Sequence, residues 1–217
     1  MPRLDTGKRP IQKGRCFAIA LILAACCFAA REGGSESIER RPAAWAQPVA
    51  LEGVPNLHRV SKTLYRSAQP TAAGMKRLEQ LGIRTVINLR AFNSDEDDLR
   101  GTRLAGEAIS MTAWHPEDED VVRFLRLVQD GKRVPVLVHC RHGADRTGTM
   151  VALYRIVVQG WTKDAALEEM VEGGYGFHTV WSNLIRYISR LDITAIKRQL
   201  NVEKPAGPSQ PGPGSGN

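Results

Sequence analysis

One run of ten residues, His139-Cys140-Arg141-His142-Gly143-Ala144-Asp145-Arg146-Thr147-Gly148, brings a thiol, two guanidinium groups, two glycines and a hydroxyl into one short segment. The apolar run Val136-Leu137-Val138 leads into it, and Met150, Leu153, Tyr154 and Val157 follow at helical spacing, so the segment joins a strand to a helix. At such a junction the first N–H groups of the helix lack intrahelical partners, and the positive end of its dipole favours an anion. Gly143 and Gly148 permit the backbone turns of a phosphate cradle. The planar fork of Arg146 can grip two phosphate oxygens. The same field favours the thiolate form of Cys140, and a thiolate is the nucleophile for attack on phosphorus. The chemistry expected is displacement at phosphorus through a cysteinyl-phosphate that water then hydrolyses. Cys140 and Arg146 would be the catalytic pair. Arg141, His142, Gly143, Ala144, Asp145, Thr147 and Gly148 would surround the phosphate, with the Thr147 hydroxyl donating to the sulfur as it departs.

The elements that hold this loop follow from periodicity and breakers. Strands are predicted at Leu57–Val60, Leu64–Ser67, Arg84–Leu89, Ala108–Thr112 and Val136–Val138. A helix is predicted from Pro70-Thr71 to Leu81, stopped by Gly82, and a loop with a short helix across Asn93 to Asp98. Val121, Phe124, Leu125 and Val128 lie on one face of a helix that runs from Glu119 to Asp130-Gly131. Further helices are predicted after Arg146, at Thr162–Val171 and at Val180–Ile188, with Trp161 and Trp181 in the core. Strands alternating with helices make this a single α/β domain, a central mixed or parallel sheet flanked by helices.

The 217 residues are 42% hydrophobic, enough for one domain with a core. The net charge of +7 is concentrated at the start. Of 30 Lys and Arg and 23 Asp and Glu, residues 1–26 carry five and one, leaving 25 against 22. A nearly balanced body argues against nucleic acid as a partner. The basic start and the apolar run from Cys16 to Ala25 read as an export signal within residues 1–30, which places the domain in the periplasm or cell envelope. Leu23-Ala24-Ala25-Cys26 resembles a bacterial lipobox, in which Cys26 would be lipidated and tether the chain to the membrane. Ordinary cleavage near Ala29 or Ala30, and an uncleaved anchor from Cys16 to Ala30, are the other readings. Residues 31–50 read as a linker, 51–200 as the domain and 201–217, rich in Pro, Gly and Ser from Lys204 onward, as a disordered tail. Cys140 is then the lone cysteine of the domain, so no intramolecular disulfide can form there, and its retention in an oxidising compartment points to function.

His139-Cys140-x-x-Gly143-x-x-Arg146-Thr147-Gly148 resembles the signature loop of the protein tyrosine and dual-specificity phosphatase superfamily. The likeness extends to Ala44-Trp45-Ala46-Gln47, Thr63-Leu64-Tyr65-Arg66-Ser67-Ala68, Tyr154-Arg155-Ile156-Val157-Val158-Gln159-Gly160-Trp161 and Ala165-Ala166-Leu167-Glu168-Glu169-Met170. These segments are similar to the bacterial periplasmic dual-specificity phosphatases of the TpbA type, across most of residues 44–190. That resemblance implies the cysteine-phosphatase fold, and hydrolysis of phosphotyrosine, with phosphoserine and phosphothreonine as further substrates, on envelope proteins. It implies no metal and no organic cofactor.

The family commonly supplies an aspartate general acid from a loop before the cysteine, yet Ala108 to Ala113 has no carboxylate. Asp118 is the residue expected to fill that role, with His115, Glu117, Asp120 and Asp145 as alternatives. Asp145-Arg146-Thr147 also resembles loops of the myotubularin and Sac phosphoinositide phosphatases. Together with Arg141 and His142 it keeps open an inositol-phosphate or phospholipid-headgroup substrate, although Asp145 is expected chiefly to fix the loop through backbone N–H bonds. A rhodanese-type sulfurtransferase and a catalytically dead phosphate-binding module fit the pattern less well. His139 is adjacent to Cys140 on a strand, so its ring should face the other way and brace the loop from behind. His58, His115 and His178 show no metal-ligand spacing.

Overall fold

The computed structural model describes residues 41–202. The expected export signal, the expected lipobox at Cys26, the first half of the expected linker and residues 203–217 of the expected tail lie outside the described residues, while residues 201 and 202 of that tail belong to a helix. Six strands form one mixed sheet in the order β1-β2-β3-β6-β4-β5: β1 Gln47–Pro48, β2 His58–Arg59, β3 Leu64–Ser67, β4 Thr85–Asn88, β5 Ala105–Ala108 and β6 Val136–His139. β1, β2 and β3 pair antiparallel, whereas β3, β6, β4 and β5 run parallel with β6 in the middle. A parallel centre needs crossovers that cover both faces, and its strands are apolar accordingly.

Strand alternation sorts the two faces. Val86 and Leu137 meet Met75 and Leu78 of α1 (Ala72–Gln80), with Leu99 of α2 (Glu96–Leu99) at the margin. Leu64, Ile87, Val136 and Val138 meet the larger layer. That layer holds α3 (Asp118–Gln129), α4 (Asp145–Val157), α5 (Lys163–Glu172), α6 (Ser182–Arg190) and α7 (Ile193–Val202). Helix α4 is buried over most of its circumference, as expected of a helix without a polar face. Thr71 caps α1 by accepting from the Gly74 N–H, and Gly82 follows it at φ 94°.

Several boundaries differ from the periodicity reading. Strand β5 is Ala105–Ala108, earlier than the predicted Ala108–Thr112. It is an edge strand whose residues are mostly exposed, so it carries no apolar pattern, while buried Ile109 and Met111 belong to the turn after it. Gln47–Pro48 pairs with β2 inside the stretch expected as linker, and Ala46 is fully buried. Helix α6 is entered through a 3₁₀ turn at Thr179–Trp181. Helix α7, absent from the prediction, is opened by Asp192, whose carboxylate accepts from the Thr194 and Ala195 N–H groups. Among the described residues, no helix is long and apolar enough to cross a membrane.

A buried polar network joins the amino-terminal segment to the helical layer. The Arg155 guanidinium of α4 donates to Glu169 of α5 from Nε at 2.7 Å and Nη2 at 2.8 Å. Glu169 Oε1 also accepts from the Ala46 N–H and from the Tyr175 hydroxyl. Both members of the Arg155–Glu169 pair are almost fully buried, so removing one leaves the other uncompensated. Glu169→Ala should therefore destabilise the protein by about 3–5 kcal/mol, read as a lowered midpoint in denaturant with an unchanged m-value. A loss under about 1 kcal/mol would show that the pair is poorly coupled.

Candidate active site

The loop residues after β3, β4, β5 and β6 converge at the carboxyl ends of the parallel strands, where α/β sheets bind ligands. A pocket of about 540 Å³ opens there. Gln69 reaches it from after β3, Arg90 to Asn93 from after β4, Met111 to Trp114 from after β5, and Arg141 and Arg146 from after β6. Trp181 completes the wall. The tryptophan expected wholly in the core thus has a second role, packing against the core on one side and facing the pocket on the other.

Three carbonyls of the Cys140–Arg146 loop are tied back to the scaffold. Arg141 O accepts from the Gln69 N–H at 3.2 Å, His142 O from Asn56 Nδ2 at 3.0 Å, and Gly143 O from Arg66 Nη2 at 2.7 Å. In a trans peptide the N–H opposes the C=O, so carbonyls pulled outward leave the amide groups free to face the concave side, where a phosphate needs donors. Gly143 sits at φ +69°, and a Cβ there would lie 2.4–2.5 Å from the Ser67 and Ala68 backbone. Only glycine lets the loop approach the end of β3 so closely. Arg66 is fully buried, with its guanidinium 3.7 Å over the Tyr175 ring. Burial lowers its pKa to about 10, which still leaves it charged at neutral pH, and Tyr175 is pushed up to about 12 by burial and then by Glu169.

Cys140 is 2% exposed and is the free cysteine of the described residues. Arg146 Nη1 donates to Leu89 O at 3.2 Å and Met111 O at 3.4 Å, which anchors the guanidinium across the ends of β4 and β5. His139 turns away from the thiol, as alternation requires, and its Nε2 donates to Asp95 Oδ2 at 2.7 Å. Asp95 is the hub of that side. Its Oδ1 accepts from Gln69 Nε2, Asn88 Nδ2 and Arg90 Nη2 at 3.2, 3.0 and 2.9 Å. Burial opposes ionisation of Asp95, but the bond and charge of His139, then Gln69 and Arg90, outweigh it and hold the pKa below the ordinary value.

The remaining expected residues divide. Thr147 Oγ1 is buried and makes no hydrogen bond among the described residues, so a bond to the Cys140 sulfur is not formed here. Asp145 accepts a backbone N–H bond, as expected, but from His178 rather than from its own loop, at 2.8 Å. Gly148 lies where a Cβ would meet Met170 at 2.9 Å, so it serves close packing of α4 on α5. Asp118 is not brought to the pocket. It opens α3, accepts from the Tyr187 hydroxyl at 2.8 Å and lines a separate groove with Asn183, Arg186 and Arg190. Of the alternatives, Glu117 accepts from His115 Nδ1 at 2.6 Å on the exposed loop beyond Trp114. No carboxylate lines the pocket itself among the described residues.

Asn56, Arg66, Gln69, Arg90 and Asp95 were not singled out by the sequence. Arg66 carried one local signal, since it falls on the core-facing phase of a strand, beside Leu64.

Residues 47–180 match the family model described as a DSP-PTPase phosphatase fused to NAD+ kinase. The chain belongs to the DSP-PTPase family. It is therefore a cysteine-dependent protein phosphatase. The dual specificity protein phosphatase TpbA of Pseudomonas aeruginosa is 39% identical over 186 residues, spanning 82% of this chain and 83% of that protein. Its crystal structure superposes with a TM-score of 0.67 at 38% identity, over 74% of this chain and 98% of that one, and TpbA has also been solved in complex with pTyr. The inositol diphosphatase DSP5 of Arabidopsis thaliana is 31% identical over 157 residues, spanning 67% of this chain and 74% of that protein.

Gly143→Ala should fold yet lose phosphate and vanadate binding, because the new methyl forces the loop off β3. Vanadate inhibition constants and circular dichroism check this, and retained vanadate affinity would contradict the close approach. Asp95→Asn should cost about 2–3 kcal/mol at pH 7. A lowered folded pKa means the contribution is complete above the unfolded value of about 3.9 and disappears as pH falls through the folded one. Denaturant midpoints of parent and variant should accordingly stay apart above about pH 5 and converge below about pH 4.

Proposed function

We propose that the protein hydrolyses phosphotyrosine monoesters, and that Cys140 Sγ is the nucleophile. The observation that carries this reading is the composition of the pocket: three guanidinium groups, Arg90, Arg141 and Arg146, beside aromatic walls, with no carboxylate lining it. Phe92 is 84% and Trp114 65% exposed at its rim, unusual for such side chains in a monomer's surface and suited to sandwiching a phenol ring. A phenolate is a good leaving group, so an aryl phosphate needs little help from a general acid.

In the first step the Cys140 thiolate attacks phosphorus in line. The S–P bond forms as the P–O bond to the phenol breaks, and the loop amides with Arg146 hold the charge on the three remaining oxygens. In the second step water attacks the cysteinyl-phosphate, releasing phosphate and regenerating the thiolate. We infer that Asp118, held by Tyr187, serves the start of α3 rather than the leaving group. Phosphoserine and phosphothreonine, with alkoxide leaving groups, are then poorer substrates.

The three guanidinium groups and the likeness to DSP5 also favour a second reading, in which the substrate is an inositol phosphate or a phospholipid headgroup. On either reading the chain acts on envelope components: an export signal in residues 1–30 would carry it there, and lipidation at Cys26 would hold it at the membrane. Globomycin sensitivity of processing that is abolished by Cys26→Ser tests that placement.

The deciding assay compares phosphotyrosine peptides, phosphoserine peptides and inositol phosphates on parent, Cys140→Ser, Arg146→Lys and Asp118→Asn. Cys140→Ser should lose activity about a thousandfold or more, and Arg146→Lys about a hundredfold through loss of the bidentate grip. Asp118→Asn should stay within about threefold of the parent on aryl phosphates. Activity that survives Cys140→Ser overturns the mechanism. Inositol phosphates turned over faster than phosphotyrosine would replace the substrate.

A further inference from the structure

We propose that His142, Asp145 and His178 form a binding site for a divalent transition-metal ion of the zinc class, mounted on the phosphate loop. His142 and Asp145 belong to the loop, and His178 immediately precedes the 3₁₀ turn that brings Trp181 to the pocket. The fold brings His178 to the loop pair, and the three residues offer two imidazole nitrogens and a carboxylate oxygen that all lie within 4.8 Å of one another. The two rings stand 5.3 Å apart between centroids, tilted by 54°.

Two features favour coordination over an ion pair alone. Asp145 is 7% exposed and already fixed, since its Oδ1 accepts the His178 N–H and its Oδ2 lies 2.9 Å from His178 Nδ1. The two histidines are exposed, so an ion from solvent reaches them and the His142 ring has room to swing inward. A tetrahedral zinc ion with ligands at about 2.0–2.2 Å draws its donors to about 3.3–3.6 Å from one another. The required contraction is thus at most about 1.5 Å. Imidazole with carboxylate selects zinc, cobalt, nickel or copper over magnesium and calcium, and three protein ligands leave the fourth position to water. The ion takes the place of the proton between His178 Nδ1 and Asp145, and the ring binds as a neutral imidazole that carries its proton on Nε2. The ion would tie the loop to the Trp181 turn, so it regulates the reaction centre without taking part in the displacement.

Because the readout is binding, the test stands apart from the phosphatase reading. The full chain carrying Cys140→Ser, which removes the loop thiolate as a competing ligand, is titrated with Co²⁺ followed by visible absorption, and with Zn²⁺ followed by thermal unfolding. A saturable tetrahedral d–d band and a raised unfolding temperature are expected. His178→Ala and His142→Ala in that background should each weaken Co²⁺ affinity by about tenfold or more and abolish the Zn²⁺-dependent rise. Cys16, Cys26 and Cys27 can hold metal of their own, so the increment that vanishes with the histidines is the quantity read. If His178→Ala does not fold, the exposed His142 decides. Metal binding that is absent, or that is unchanged by both substitutions, overturns the site.

Discussion

The Asp95 carboxylate receives hydrogen bonds from Gln69, Asn88, Arg90 and His139, groups that stand at the carboxyl ends of three neighbouring parallel strands. A buried carboxylate without partners would be costly, and this one is stable because four donors converge on it. In satisfying it they are themselves fixed: Gln69 supplies the N–H that holds Arg141 O, Arg90 is aimed at the pocket, and His139 locks the last residue of β6 before the thiol. The reaction loop begins from a strand end that cannot drift.

From that end the loop is closed by two further constraints on the opposite side of the sheet. Gly143 packs against the β3 backbone where no side chain fits, and the buried Arg66 takes its carbonyl. Arg66 is held over Tyr175, which bonds to Glu169, which in turn pairs with Arg155 of α4. The helix that follows the loop and the strand that supports it are therefore joined through one buried polar network. Electrostatic preorganisation of this kind is what stabilises charge during phosphoryl transfer, and its rigidity comes from burial.

The sequence made the local parts of this arrangement legible. Strand β6, helix α4 and the loop between them follow from an apolar run, a helical repeat and two glycines, and the inward phase of Cys140 against the outward phase of His139 follows from alternation. What stayed hidden is tertiary. Asp95 sits in an acidic stretch that reads as a solvated loop, and nothing local marks it as the residue the strand ends share. Asp118 looked available because the acidic run Glu117 to Asp120 follows the loop after β5, yet Asp118 lies in the first turn of α3, which faces α6, where Tyr187 donates to it. The small, exposed residues of β5 hid the edge strand, and the polar surface of Ile193–Val202 hid a helix whose buried contact is Ile196.

Membership in the DSP-PTPase family and the pocket's guanidinium and aromatic lining agree on a phosphoryl group as the thing bound. The proposed mechanism stands on transfer of the phosphoryl group through Cys140. Acid quenching of the enzyme during turnover of a radiolabelled aryl phosphate, followed by peptide mapping, tests this most directly. Label is expected on the peptide containing Cys140, released by iodine as an S–P bond requires. Full turnover with no label on that peptide, or label on another side chain, would contradict it.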